Sequence, residues 1–335
     1  MNFPMSTESP GTKQPLPHVC VFAVGGTIAG SADSRTNTTD YKIGSIGVRD
    51  LIAAVPEIAR IAEVTGEQIA NVPSSDVGGE VLLRLAKAIA ARLEDPEVHG
   101  VVVTHGTDTL AESAFFVDIT VKSPKPVVFV GAMRPASAIS ADGPGNLLKA
   151  VSLAASGDAV GRGTLLALND RIASAFYANK THSTAVDTFR AEEQGYLGGF
   201  VNARPRFWYT PATPVGKPCF DVRAIESLPK VAILYAHQDQ DDALIDAAIA
   251  NGARGIVINA SGHGSVGTAT KKRIRELDAR GFPVVRATRT NNGIVAEKPE
   301  GIGAGVHTAA KARWLLCLAL ARGASNEEIR AYFRA

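Results

Sequence analysis

The amino-acid sequence predicts a mostly parallel α/β protein built in two parts. Short β-branched runs alternate with segments of 3.6-residue apolar period along most of the chain. A proline-dense stretch, RPRFWYTPATPVGKP, interrupts that alternation well past the midpoint. The 335 residues, 45% of them hydrophobic, are enough to fill two cores.

Taken in chain order, the strand candidates before the interruption are 18–24, 100–104, 127–130 and 164–168, each a compact apolar run too short for a helix. Between them, 81–93, 111–121 and 145–155 carry the helical period. After it, strands are expected at 230–235, 255–259 and 283–287, with helices at 243–250, 271–280 and 308–322. Strand followed by helix, repeated, gives a parallel sheet with helices on both faces.

Pro205, Pro211, Pro214 and Pro218 lie within fifteen residues. Proline removes a backbone donor and fixes φ, so this stretch reads as an extended linker rather than the interior of a sheet or helix. The expected division is a disordered or extended segment at 1–17, a larger N-terminal α/β domain at 18–204, a linker at 205–225 and a smaller α/β domain at 226–335.

Composition excludes some functions. A formal net charge of +2, from interspersed charges, offers no basic stripe for nucleic acid. No run of 18 apolar residues suggests a membrane span, and the N-terminal MNFPMSTESPGTKQPLP lacks the apolar core of a signal peptide. Cys20, Cys219 and Cys317 are odd in number and far apart, and read as buried reduced thiols rather than a zinc or disulfide framework. The cytoplasm is the expected compartment.

Ligands of open α/β sheets bind beyond the carboxyl ends of the strands, and polar clusters fall there four times. VGGTIAG (24–30) is either a tight glycine turn or a strand tip presenting Thr27; its glycines do not fit the G-x-G-x-x-G of a dinucleotide loop. NVPSSDVGGE (71–80) puts Ser74, Ser75 and Asp76 before a helix, more than one cap requires. In THGTDTL (104–110), Thr109 and Glu112 have the spacing of a capping box, which leaves Thr107 and Asp108 free at the positive end of a helix and His105 as a base or a structural residue. The last cluster is GAMRP (131–135) with SADGPGN (140–146) and NKTH (179–182), where the backbone N–H of Ala132 could meet an oxyanion and Lys180 could act as a base. Two hydroxyls, a lysine and a carboxylate, with no sign of metal or cofactor, suit acyl transfer to water.

GGTIAG, THGTDT, VVFVGAMRP, SADGPGNL and NKTH, in this order, resemble the bacterial-type L-asparaginase family, which includes the glutaminase-asparaginases. The resemblance implies a flavodoxin-like first domain, a Rossmann-like smaller second domain, a homotetramer of close dimers, and hydrolysis of L-asparagine to L-aspartate and ammonia without a cofactor. It implies that Thr27 is the nucleophile, activated by Tyr41, and that Lys180, Thr107 and Asp108 form a second triad. Ser74 would hold the substrate carboxylate, Asp108 its ammonium, and Gly26, Gly106 and Ala132 would contribute backbone around the substrate.

Three positions depart from the family pattern. Ser75 stands where a longer glutamine or glutamate is common, which implies weak turnover of L-glutamine; His263 stands where an asparagine reaching a neighbouring subunit's site is common; and the segment after RTNNG has no counterpart of a partner glutamate. A transfer-RNA-dependent amidase subunit resembles the same family but carries an extra leading domain, for which the 24 residues ahead of Gly25 leave no room. A non-catalytic amino-acid sensor on the same fold is the alternative of another class, and it would not need the nucleophile or the lysine–threonine pair.

Overall fold

The computed structural model describes residues 15–26, 28, 30, 33–37 and 47–334. Thr27 and Tyr41 therefore lie outside the described residues, as does most of the expected N-terminal segment.

In the first part, β1 (His18–Ala23), β2 (Glu63–Gln68), β3 (Val98–Thr104), β4 (Val127–Val130) and β5 (Thr164–Leu168) run parallel in the order β2-β1-β3-β4-β5. That is the doubly wound order of a flavodoxin-like sheet, with its switch point between β1 and β3. Beyond β5 the sheet continues antiparallel through β6 (Arg171–Ser174), β9 (Gly198–Val201) and β10 (Arg204–Phe207), while β7 (Asn179–Lys180) and β8 (Phe189–Arg190) form a separate ladder.

The apolar runs are continuous because both faces of this sheet are covered. Cys20, Phe22, Val101 and Val103 pack under α2 (Gly79–Glu94) and α3 (Leu110–Asp118). Val19, Val21, Val102 and Val128 point the other way, under α1 (Val48–Ala53) and α4 (Gly143–Ala154). The second part is a parallel sheet of β11 (Val231–Tyr235), β12 (Gly255–Ala260), β13 (Val284–Thr288) and β14 (Ile302–Gly303) in sequential order. Its helices are α5 (Ala243–Ala250), α6 (Thr268–Asp278), α7 (Ala309–Ala321) and α8 (Asn326–Phe333). Helix α7 also packs on α3, so residues of both sheets belong to one hydrophobic cluster; Phe116 meets Trp314 edge to face at 5.4 Å between ring centres.

Three expectations need correction. Arg204–Phe207, where the proline-rich stretch begins, is an edge strand: Pro205 lies opposite Phe200 on the sheet margin, where a missing donor is tolerated. Cys219 is exposed, because the segment carrying it runs over the surface, while Cys20 and Cys317 are buried. The Thr109–Glu112 capping box does not form, although α3 does start at Leu110. The reciprocal box occurs at Ser325 and Glu328, opening α8.

Candidate functional site

The switch point opens a crevice at the carboxyl ends of β1 and β3, and the chain packs three loops tightly into it. After β1, Gly25 and Gly26 turn with φ of +115° and +95°, a region that side chains seldom enter. A Cβ on Gly26 would lie 2.2 Å from both N and Cα of Gly106, so these two backbones touch only because both residues are glycine. Gly106 in turn rests on Ser74, the first residue of a short 3₁₀ turn. The Thr109 hydroxyl donates to the Ser74 carbonyl at 2.7 Å, tying that turn to the start of α3. This explains the missing cap: the hydroxyl is engaged across the crevice instead. Ser74 is buried, whereas Ser75 and Asp76 are exposed.

His105 is fully buried, with Nδ1 2.8 Å from the Gly106 carbonyl, which requires the proton on that nitrogen. Burial pushes it down to about 4, the Gly106 bond opposing. It is a neutral structural group that shapes the loop rather than a base.

Next to it, Thr107 is buried and Asp108 exposed. Lys180, carried by the short β7 strand, donates to Thr107 Oγ1 at 3.1 Å and to Asp108 Oδ1 at 2.7 Å. Hydroxyl, ammonium and carboxylate thus meet, although Lys180 is 72 residues from Asp108. The Lys180 side chain is only 16% exposed while that of Asp108 is 77% exposed, so the carboxylate still faces solvent.

The fourth strand end completes the wall. A Cβ on Gly131 would come within 2.7 Å of the His105 carbonyl and 3.1 Å of Thr107 Cγ2. The following backbone is held from below: the Asp142 carboxylate accepts from the N–H groups of Met133 and Arg134, each at 3.0 Å, and Asn146 donates to the Gly131 carbonyl at 3.0 Å. Ala132, fully buried, sits between these anchors. The sequence flagged SADGPGN as a cluster but not this bracing role, and nothing in the local pattern of Thr109 pointed to Ser74.

His263 lies apart from this group, exposed on the tight loop after β12 that a Ser261–Ser265 bridge closes. Among the described residues no group of three or more His, Cys, Asp or Glu side chains could hold a metal ion, and no helix is long and apolar enough to cross a membrane.

A flavodoxin-like domain joined to a smaller parallel α/β domain, with a threonine, lysine and carboxylate converging at the switch point, defines a class of two-domain α/β enzyme. Residues 18–213 match the family described as Asparaginase, N-terminal, and residues 230–333 the Glutaminase/Asparaginase C-terminal domain. The chain belongs to the asparaginase family. It is 46% identical over 340 residues to L-asparaginase 2 of Bacillus subtilis (strain 168), covering 98% of this chain and 89% of that one. A probable periplasmic L-asparaginase of Haemophilus influenzae is 41% identical over 327 residues, covering 95% and 93% of the two chains. The crystal structure of a probable cytoplasmic L-asparaginase from Campylobacter jejuni superimposes with a TM-score of 0.90 at 42% identity, covering 96% of this chain and 99% of that one.

Proposed function

We propose that this protein hydrolyses the side-chain amide of L-asparagine, giving L-aspartate and ammonia, through a threonine nucleophile and a covalent acyl-enzyme. The observation that carries the reading is the contact of Lys180 with both Thr107 and Asp108 beside the Gly26–Gly106–Ser74 junction. A family relative of an L-asparaginase needs a hydroxyl with a base, and that trio supplies one.

In this reading the Thr27 hydroxyl, with Tyr41 assisting, attacks the amide carbon. The carbonyl electrons move onto oxygen, where the N–H of Ala132 stabilises the charge, in a backbone that Asp142 and Asn146 keep rigid. Collapse breaks the C–N bond, and the nitrogen leaves as ammonia after taking a proton. Water then attacks the resulting ester, its proton passing to the Thr107 hydroxyl as that hydroxyl gives its own to Lys180 in the amine form; the ester C–O bond breaks, the Thr27 oxygen takes a proton back, and aspartate departs. Ser74 and the backbone of Gly106 hold the substrate carboxylate, and Asp108 holds its ammonium with the oxygen surface that stays exposed. Ser75 on the exposed side of the same turn is too short to add a second grip, so L-glutamine is a weak substrate. No cofactor enters these steps. The active assembly is a homotetramer in which His263 reaches a neighbouring subunit's site, and the enzyme works in the cytoplasm; the Campylobacter jejuni protein supports that compartment and the Haemophilus influenzae one shows that the family also serves another.

Ammonia release on mixing with L-asparagine tests the reading directly. Thr27→Val, Thr107→Val and Lys180→Met should each lower kcat by roughly a thousandfold or more while leaving aspartate binding measurable. A folded Thr27→Val protein that keeps above about a tenth of its turnover removes Thr27 as nucleophile.

A further inference from the structure

Lys311 is the one lysine of α7, a helix of the second domain, and its side chain is 1% exposed. A buried ammonium is costly unless every proton finds an acceptor. Here three do: Nζ donates to the carbonyls of Ala178 at 2.7 Å, Phe176 at 3.0 Å and Ala175 at 3.1 Å. All three acceptors belong to a single turn between β6 and β7, and Lys180 is the second residue beyond it. The turn is also held by the Ala175 N–H on the Thr164 carbonyl, the Phe176 N–H on Ser174 Oγ, the Tyr177 and Ala178 N–H groups on the Ser174 carbonyl and Asn179 Nδ2 on the Tyr177 carbonyl.

We infer that Lys311 is a positioning residue for the hydrolytic site, fixing from the second domain the turn that delivers the Lys180 ammonium to Thr107 and Asp108. A lysine serving only to tie the domains together would have no reason to concentrate its three bonds on the four residues that precede the short β7 strand. The inference rests on the role given to Lys180 above.

Neighbouring groups favour the ammonium while burial opposes it. Phe115 of α3 presents its ring 5.6 Å from Nζ, a cation–π distance, and Glu112 and Asp118 of the same helix supply negative charge nearby. Burial lowers the Lys311 ammonium to about 7, with Asp118 and Glu112 opposing. His307, ahead of α7, is held neutral by burial and by Lys311 itself. Without the three N–H donors, the carbonyls of 175, 176 and 178 are left buried and unpaired, and the turn must move to find other partners.

The test replaces Lys311 by Met and compares kcat, aspartate affinity and the pH profile of kcat in the full-length enzyme. A displacement of about 1 Å in a catalytic group costs on the order of a hundredfold, so kcat should fall roughly ten- to a hundredfold. The dissociation constant for aspartate should change less than about threefold, and the midpoint of the pH–kcat profile should move. Lys311→Arg, which keeps charge and donors, should recover part of kcat. A folded Lys311→Met enzyme within about twofold of the parent overturns the inference, and so does one whose kcat falls with an unmoved pH midpoint. If neither variant folds, Lys311 is a stability residue and the inference fails. Near-normal turnover of Lys180→Met would instead sink the reading of the site itself, which separates the two outcomes.

Discussion

Gly106→Ala is the most direct probe of how the crevice is assembled. No side chain is removed and Gly106 has no left-handed φ, so a single methyl group is the whole perturbation. Its Cβ would lie 2.8 Å from Ser74 Cβ, 3.0 Å from Ser74 Oγ and 3.1 Å from Gly26 Cα. Carbon atoms settle at about 3.5 Å or more, so the first contact is short by about 0.7 Å. The backbone on both sides is anchored, by Thr109 on the Ser74 carbonyl and by the glycine turn after β1, so the clash relaxes only by opening the crevice. Overpacking of this kind costs about 1–3 kcal/mol of stability, which leaves the protein folded. The effect on function should be larger, because Ser74 and the Gly26 backbone are pushed apart: roughly ten- to a hundredfold in kcat/KM for L-asparagine, by interpolation from the hundredfold cost of about 1 Å. Steady-state ammonia release, with thermal unfolding to check the fold, measures both. A Gly106→Ala enzyme that keeps more than about half its kcat/KM would show that the three loops are not in register with the substrate, and would refute the geometry argued above.

The unmodified enzyme should favour L-asparagine over L-glutamine by about 10- to 200-fold, the range one methylene of fit provides, and Ser75→Gln should narrow that ratio; competing steady-state rates for the two amides decide it, and equal specificity constants would overturn the role of Ser75. His307 is buried among the rings of Phe115, Phe176 and Phe333 and is pushed down by burial and by Lys311 to about 3, from 6.5. A histidine whose folded pKa is depressed contributes stability above pH 6.5 and loses it as pH falls from there toward 3, on the order of a few kcal/mol. Thermal melts of His307→Phe across that window should show a flatter slope than the parent, and parallel slopes would remove His307 from the acid transition.

The architecture was legible where strands are buried on both faces. Val101, Val102 and Val103 form an unbroken apolar run because Val102 faces one core and its neighbours the other. β2, with the sequence EVTGEQ, lies at the sheet edge and is largely exposed, so it has no apolar signature to read. β6, β9 and β10 are four residues each, and one contains two glycines and another a proline, features that suggest a loop when taken locally. At the site, residues that present chemistry were visible because a hydroxyl, an imidazole and a carboxylate crowd one turn. Residues that aim them were not. Thr109 looks like a helix cap, Asp142 like the polar start of a helix, and Lys311 like any surface lysine, because what each one holds is distant in sequence and near only in the fold.

The packing of α7 on α3 also determines how the molecule comes apart. Every residue of α3 except Glu112 is buried, and that burial is shared between the large sheet and a helix from the far side of the proline-rich segment. Phe115, Phe116, Trp314 and Leu315 belong to one continuous apolar body, so denaturant meets no aqueous seam between the halves at which to pause. The two halves share that apolar body, so loss of either exposes the other's contact face, and a fragment ending near residue 213 would leave the aromatic surface of α3 uncovered by Trp314.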